Sequence, residues 1–299
     1  DDRLADRFAL LTGGSRAALP RHQTLRTAIE WSHDLLGREE RILFRRLSAF
    51  AGRFTLDDVA PVCAFDDVPP ATVLDVLSSL VDKSLVLKDD APGPACYRLH
   101  ETMREFAGLK TQEAGEEEAV ELRCIDHYVS EGRRNAAQAR FRLVAWLGWM
   151  DVEIDNIRWV LRRCALRGDA GRGTGLAVDV GWYWITRSMT EGVRWLDEFL
   201  AMGPGDAVSY AGGLFMRGFI ALLQVDPIAA RPLLERAARA LREAGRPGRL
   251  VNALAMASIA AHMTGDPAAA RLLRDEAQDV AAGLEDVEAR IAVLQALAF

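Results

Sequence analysis

The stretch RLHETMREFA, residues 98–107, places one of the five histidines of the chain between a short β-like run and a helical pattern. The run ends at Leu99, His100 follows, and Glu101 opens the predicted helix, where the helix dipole favours an acid. A histidine at such a junction can present a ring N–H to an anion, and a helix N-terminus also attracts anions. His100 is therefore a candidate anion-binding residue. The alternative is that His100 caps the helix or fills a gap in the core.

The remaining reactive side chains form no catalytic set in the sequence. The glycine-rich TGGSR, residues 12–16, lacks the Gly-Lys-Ser/Thr ending of a phosphate-binding loop. The neighbouring acids Asp57-Asp58 and Glu116-Glu117 would point apart on a helix. His127 lies in an amphipathic pattern beside Tyr128, where a structural role is expected. We therefore expect this chain to be no enzyme by itself.

The cysteines and tryptophans favour a packed interior over a metal site. The four cysteines show no Cys-x-x-Cys spacing and no histidine at ligand spacing, so we expect buried, reduced thiols and no metal. Six of the seven tryptophans crowd the middle third of the chain: Trp146, Trp149, Trp159, Trp182, Trp184 and Trp195. We expect these rings to pack between helices, with a ligand or peptide platform as the alternative.

Composition and charge argue against a dedicated nucleic-acid binder and against a membrane-spanning chain. The chain has 299 residues, is 50% hydrophobic and carries a formal net charge of −6. A protein built mainly to bind phosphate backbones usually shows a basic surface, so a dedicated nucleic-acid binder is not expected. No uninterrupted apolar run reaches the roughly 18 residues of a membrane span, and we expect a cytoplasmic location.

The first third of the chain has the element order of a winged helix. Apolar periodicity predicts helices at 23–36, 39–50, 72–83 and 101–114. Gly37 is expected to end the first helix as a C′ glycine. Thr55 and Asp58 form a capping-box pattern for one more short helix. The runs SLVLKDD and ACYRLH, separated by a Pro/Gly turn, predict the β-hairpin wing.

The helix before the wing does not suit DNA. In DNA-binding winged helices this helix enters the major groove and carries cationic or amide side chains to the bases. Here it reads TVLDVLSSLVDK, with Asp75, Asp82 and Lys83 as its charges, and the wing adds Lys88 beside Asp89-Asp90. We therefore expect no direct DNA binding from this winged helix.

The rest of the chain is predicted to be helical and repetitive. The predicted helices are 116–139, 141–166, 172–187, 190–202, 207–224, 227–244, 248–264, 267–283 and 285–298. The acids that open the first of them are expected to form a solvated helix face.

The segment ALLQVDPIAARPLLERA matches AHMTGDPAAARLLRDEA 40 residues later. In each copy Asp caps a helix and Pro takes its first position, at Asp226-Pro227 and Asp266-Pro267. Two helices per 40 residues predict a tetratricopeptide-like α-solenoid with a concave surface.

Several long stretches resemble one known family. LLTGGSRAALPRHQTLRTAIEWSHDLLGREERILFRRLSAFAGRFTLDDV, then VLDVLSSLVDKSLV, YRLHETMREFA and DVEIDNIRWVL, are similar to the region that follows the nucleotide-binding core in bacterial STAND-type ATPase regulators. These are the large AfsR/LuxR-type transcriptional regulators, related to the NB-ARC switches. The resemblance covers roughly residues 1 to 200, and a repeat array is what the family carries next.

The resemblance implies a function for the winged helix. In the family a phosphate-loop core precedes a winged helix and then a repeat array, and a hydrophobic–His–acid motif in the winged helix contacts the β-phosphate of ADP. Leu99-His100-Glu101 matches that motif, with Glu in place of the usual Asp. The family's phosphate loop and Walker B acid would lie upstream of residue 1. The resemblance thus implies no cofactor in this chain, but ADP or ATP in the full-length protein.

The resemblance also implies an arrangement of regions and partners. We expect a tail of the upstream nucleotide-binding module or a linker at 1–22, a winged-helix domain at 23–112, connecting helices at 113–170 and tetratricopeptide-like repeats at 171–299. The partners would be the upstream nucleotide-binding domain and a protein or small-molecule inducer at the repeats, with no membrane. The main alternative is a stand-alone tetratricopeptide-like adaptor. The absence of a phosphate loop from the coding region before Asp1 would favour this alternative. A DNA-binding role for this winged helix is the third interpretation.

Overall fold

The computed structural model describes residues 20–89 and 95–298, and over these residues the chain is mainly α-helical. A winged-helix domain comes first and a helical solenoid-like region follows, as the sequence predicts. The chain divides into two compact units after Cys124. The TGGSR stretch, most of the predicted 1–22 tail and the wing turn at 90–94 lie outside the described residues.

The first unit contains a three-stranded antiparallel sheet in the order β1-β3-β2, in which Tyr97 of the central strand pairs with Phe54 on one side and Lys88 on the other. Its elements are α1 (Pro20–Asp34), α2 (Arg38–Arg46), a 3-10 turn (Leu47–Ala49), β1 (Phe54–Thr55), α3 (Leu56–Cys63), a second 3-10 turn (Pro70–Thr72), α4 (Val73–Asp82), β2 (Leu87–Asp89), β3 (Cys96–Arg98) and α5 (Glu101–Glu113).

The chain around Gly37 differs from the prediction. Helix α1 ends at Asp34, and Gly37 is the N-cap residue of α2 with φ −65° and ψ 170°, so it is no left-handed C′ glycine. The Gly37 N–H donates to Glu40 Oε2 at 2.6 Å, which fixes Gly37 to the helix that follows it. By contrast, the capping pattern at α3 is confirmed, because Asp58 Oδ2 accepts from the Thr55 N–H at 2.7 Å.

Aromatic rings form much of the core of the first unit. The Phe50 and Phe54 rings stack with centroids 4.6 Å apart, which joins β1 to the turn before it. His33 packs edge-on against Phe106 of α5 at 5.5 Å, and burial lowers the pKa of this histidine. The Phe44 ring of α2 also lies near Phe106, with centroids 6.4 Å apart, so α1 and α2 both pack against α5.

One of the acids before the long helix is not solvated, contrary to the prediction for this run. Glu116 accepts hydrogen bonds from both Arg45 and Arg46, at distances of 2.8 to 3.1 Å. Arg46 is fully buried and also donates to the carbonyl oxygens of Cys63 and Phe65. The preference of a buried guanidinium for a carboxylate draws Glu116 inward, while Glu117 stays exposed.

The second unit is built from helices, and no helix in the described part of the chain is long and apolar enough to span a bilayer. After α6 (Glu117–Phe141), which runs from one unit into the other, its helices are α7 (Leu143–Arg167), α8 (Ala170–Asp179), α9 (Gly181–Arg187), α10 (Met189–Ala201), α11 (Ala207–Leu223), α12 (Pro227–Glu243), α13 (Pro247–Met263), α14 (Pro267–Ala282) and α15 (Val287–Leu297).

The single helix predicted at 172–187 is two helices, α8 and α9, which break at Val180. The break brings the Trp184 indole N–H to the carbonyl oxygen of Ala177 at 2.9 Å. It also places Gly181 where an added Cβ would lie 2.3 Å from Met216 Cε, so the chain must turn where it meets α11.

The 40-residue repeat is present in the structure. Helices α11 and α13 begin 40 residues apart, and so do α12 and α14. Asp226 Oδ1 accepts from the Ala229 N–H and Asp266 Oδ1 from the Ala269 N–H, each at 3.0 Å, which confirms the predicted caps. Arg231 then donates to Asp266 Oδ2 at 2.9 Å and joins one repeat to the next.

Candidate functional site

His100 lies at the junction where the sequence predicts it, between β3 and α5. Leu99 is buried and anchors the end of the strand, while His100 is exposed. His100 occupies the N-cap position of α5, with φ −62° and ψ 146°, but its side chain makes no capping hydrogen bond. The ring therefore neither fills a core gap nor caps the helix, and it is accessible to a ligand.

Among the described residues, the side chain of His100 has one hydrogen-bonding partner. Nδ1 lies 3.0 Å from Thr102 Oγ1. When the threonine hydroxyl donates this hydrogen bond, the ring proton sits on Nε2, which is then the atom that can donate to an anion. Thr102 is thus a positioning residue for the imidazole.

The same helix end offers two further features that suit an anion. The His100 side chain does not cap α5, so it leaves the first-turn N–H groups, at the positive end of the helix dipole, available to an anion. Arg104 lies one turn after His100, on the same face of the helix, and its side chain forms no ion pair or hydrogen bond with the described residues. Sequence reasoning missed Arg104, although the four-residue spacing in HETMR is visible in the sequence.

The exposed face of α4, the helix before the wing, carries no free cation among its described side chains. Leu74, Asp75 and Asp82 are exposed on this helix. Lys83, just after α4, donates to Glu40 Oε1. Burial opposes ionisation of Glu40, but the hydrogen bonds from Lys83, Ser79 and the Gly37 N–H lower its pKa to about 2.

The other histidine and the tryptophans discussed in the sequence analysis are buried or half-buried. His127 is buried and packs edge-on against Tyr128, whose hydroxyl donates to Glu153 at 2.9 Å. Trp146, Trp184 and Trp195 are buried, as the packing interpretation predicts. The remaining three tryptophans of that group are half-buried: Trp149, Trp159 and Trp182.

The cysteines are buried, form no disulfide and lie on different elements: Cys63, Cys96, Cys124 and Cys164. Burial raises the pKa of the Cys63 thiol. These thiols are part of the packing.

Comparison with known proteins finds a matching domain family and longer proteins to which this chain is similar. Residues 36–109 match the winged helix-turn-helix domain family. Over 95% of its length the chain is 36% identical to the "Putative HTH-type transcriptional regulator Rv0890c" of Mycobacterium tuberculosis (strain ATCC 25618 / H37Rv), of which it covers 33%. The match to "Putative HTH-type transcriptional regulator Mb0914c" of Mycobacterium bovis (strain ATCC BAA-935 / AF2122/97) has the same identity and coverage. The chain therefore spans about one third of the length of the curated relatives it matches.

One solved structure is also similar. It is the Signal Transduction ATPase with Numerous Domains (STAND) protein with a tetratricopeptide repeat sensor, PH0952, from Pyrococcus horikoshii. The sequence identity is 14% and the TM-score is 0.36, over 95% of this chain and 50% of that one.

Proposed function

We propose that this chain is the regulatory and sensor region of a STAND-type ATPase transcriptional regulator. The winged helix closes on a nucleotide-bound core supplied by another part of the full-length protein, and the repeats bind an inducer or partner protein. An inducer would shift the balance between closed and open states by its different affinity for the two. The proposal assigns no ATP hydrolysis to this chain and places the protein in the cytoplasm.

One observation carries the proposal for the winged helix: an exposed histidine, whose side chain does not cap the helix, stands at the N-terminus of α5. His100, Arg104 and the first-turn N–H groups offer donors of the kind that bind phosphate, and within the described part of the chain the two side chains have no polar partner other than Thr102. A bound ADP would supply the phosphate oxygens that accept from these donors. The matches to the HTH-type transcriptional regulators support the regulatory context.

The surface of α4 supports a winged helix that does not read DNA. Asp75 and Asp82 would repel phosphates, and Glu40 holds Lys83. If the full-length protein regulates transcription, we propose that a domain outside this chain contacts the DNA.

The test is the rate of nucleotide release from the full-length protein. Fluorescent ADP is loaded, and its release is followed by stopped flow for the wild type, His100→Ala and Thr102→Val. We expect His100→Ala to accelerate release by about tenfold, since one hydrogen bond to a charged group contributes about 1.5 kcal/mol. Thr102→Val should accelerate release less, because it only frees the ring.

The matched control is His262→Ala, which removes an exposed histidine from the end of α13. It should leave the release rate unchanged. Equal release rates for the wild type and His100→Ala would overturn the role of His100 as a phosphate contact.

A further inference from the structure

The second unit contains a groove with a volume of about 750 Å³. Its lining residues come from six helices and their N-caps: Arg133, Ala136, Ala137, Gly175, Val178, Asp179, Trp182, Asp206, Val208, Ser209, Gly212, Arg246, Arg249 and Glu288. A groove of this size is typical of small-molecule sites, which usually measure about 300 to 1,000 Å³.

Three arginines line the groove without a carboxylate partner. The side chains of Arg133, Arg246 and Arg249 form no hydrogen bond and no ion pair with the described residues. Other arginines of this unit are paired; for example, Arg158 lies 2.7 Å from Glu191. Unpaired guanidiniums on one concave surface repel each other, and an anion held between them would remove that repulsion.

Two of the three acids of the groove, Asp179 and Asp206, form no hydrogen bond or ion pair with these arginines. Asp206 caps α11 and accepts from the Ser209 N–H at 2.7 Å. Asp179 is half-buried and accepts no hydrogen bond from the described residues. Burial raises the pKa of Asp179 to about 6, although Arg133 and Arg249 act to lower it. Asp179 can thus accept a hydrogen bond from a ligand group, because no donor in the described part of the chain occupies its oxygens.

One wall of the groove is apolar and aromatic. Trp182 is half-buried, packs against no other aromatic ring among the described residues, and its indole N–H has no acceptor there. Val178, Val208 and two alanines also line the groove. An aromatic ring with a free surface is suited to stacking on a planar ligand.

We propose that this groove binds a small anionic molecule with a planar apolar body. Its carboxylate, sulfonate or phosphate group is held by Arg133, Arg246 and Arg249, and its planar part lies against Trp182. The inference rests on the proposed function only in that such a molecule would be the inducer sensed by the repeats. The binding itself is a property of this unit.

The probe is 1-anilinonaphthalene-8-sulfonate, an aromatic anion with a planar naphthalene ring system, whose fluorescence rises in an apolar site. We expect one saturable site in the wild-type chain, and affinity at least about tenfold lower in the double variant Arg133→Gln/Arg249→Gln, which loses two charge-assisted contacts. The control is Arg239→Gln/Arg271→Gln, which removes two exposed arginines outside the groove and should change the affinity less than twofold. The urea midpoint of each variant is measured to show that it is folded.

Competition identifies the chemistry of the ligand. Displacement by inorganic pyrophosphate indicates a phosphate ligand, and displacement by benzoate indicates a carboxylate ligand. Uncharged N-phenyl-1-naphthylamine should displace the probe poorly. Equal affinity of the folded Arg133→Gln/Arg249→Gln variant, or full displacement by the uncharged amine, would overturn the proposal. This assay uses no nucleotide, so its failure is distinct from a failure of the release experiment on His100.

Discussion

Asp179→Asn tests the electrostatics of the groove through protein stability. The carboxyl group of Asp179 is half-buried and accepts no hydrogen bond from any residue that the structure describes, and burial raises its pKa from 3.8 to about 6. A carboxyl group whose pKa is raised on folding stabilises the folded state only when protonated. Its contribution is therefore lost as the pH rises from 3.8 through about 6.

The size of the effect follows from the shift. A rise of about two pKa units corresponds to a total of about 3 kcal/mol, of which about 2 kcal/mol falls between about pH 4.5 and about pH 7.5. Asparagine has nearly the same shape and does not titrate. The free energy of unfolding of Asp179→Asn, minus that of the wild type, should therefore increase by about 2 kcal/mol over this pH range. Any constant effect of the new amide cancels in this comparison.

Urea unfolding followed by tryptophan fluorescence provides the assay. Six of the seven tryptophans lie in the second unit, so the signal reports mainly on the unit that contains Asp179. Asp279→Asn, at an exposed position of α14, is the control and should show no such trend. A difference between Asp179→Asn and the wild type that stays constant or decreases as the pH rises would refute the reasoning, since it would mean that a donor satisfies the carboxylate.

Three further predictions concern packing, an ion pair and DNA. Gly173→Ala should lower the free energy of unfolding by about 1 to 3 kcal/mol, since its Cβ would lie 2.1 Å from the buried ring of Phe199. The control is Gly148→Ala, whose Cβ would have no other atom within 4 Å. It should raise the free energy of unfolding by about 0.5 to 1 kcal/mol in the same urea titration. Glu116→Gln should destabilise the first unit by about 2 kcal/mol at neutral pH, because it leaves the buried Arg46 without its carboxylate. Burial opposes ionisation of Glu116, but Arg45 and Arg46 lower its pKa from 4.5 to about 2. The stability difference between Glu116→Gln and the wild type should therefore shrink as the pH falls through this range. A pH-independent difference in urea midpoints would contradict the role of Glu116 as the carboxylate partner of Arg46. Labelled duplex DNA should show no saturable anisotropy change with this chain at moderate salt. Saturable, salt-dependent binding would mean that the acidic face of α4 does not prevent DNA binding.

The regular elements could be predicted from local patterns. Capping residues and glycines fix the ends of most repeat helices, and the Asp-Pro pairs at Asp226 and Asp266 are where the prediction places them. The break at Val180 was missed, because it depends on the contact of Gly181 with Met216, which is distant in sequence. Strand β1 was missed because two residues are too few to show alternation, and only pairing with β3 defines it.

The same distinction between local sequence patterns and contacts distant in sequence applies to the candidate sites. His100 could be found from one short stretch because a strand end and a helix start adjoin there. The groove could not be found, because Arg133 is more than 100 residues from Arg246 and Arg249, and the three line one groove only when the helices pack. Glu116 was misjudged for a related reason, since nothing near it in sequence shows that Arg46 is buried and needs a carboxylate.

The nucleotide content of the native full-length protein tests the proposed function most directly. The protein is purified from its source, its intact mass is measured, and any nucleotide released on denaturation is identified by chromatography. The account predicts a mass well above 32.9 kDa, a Gly-Lys-Ser/Thr loop in the peptides that precede this region, and about one ADP or ATP per chain. A native mass of 32.9 kDa with no bound nucleotide would contradict the account and favour an adaptor that acts through its repeats alone.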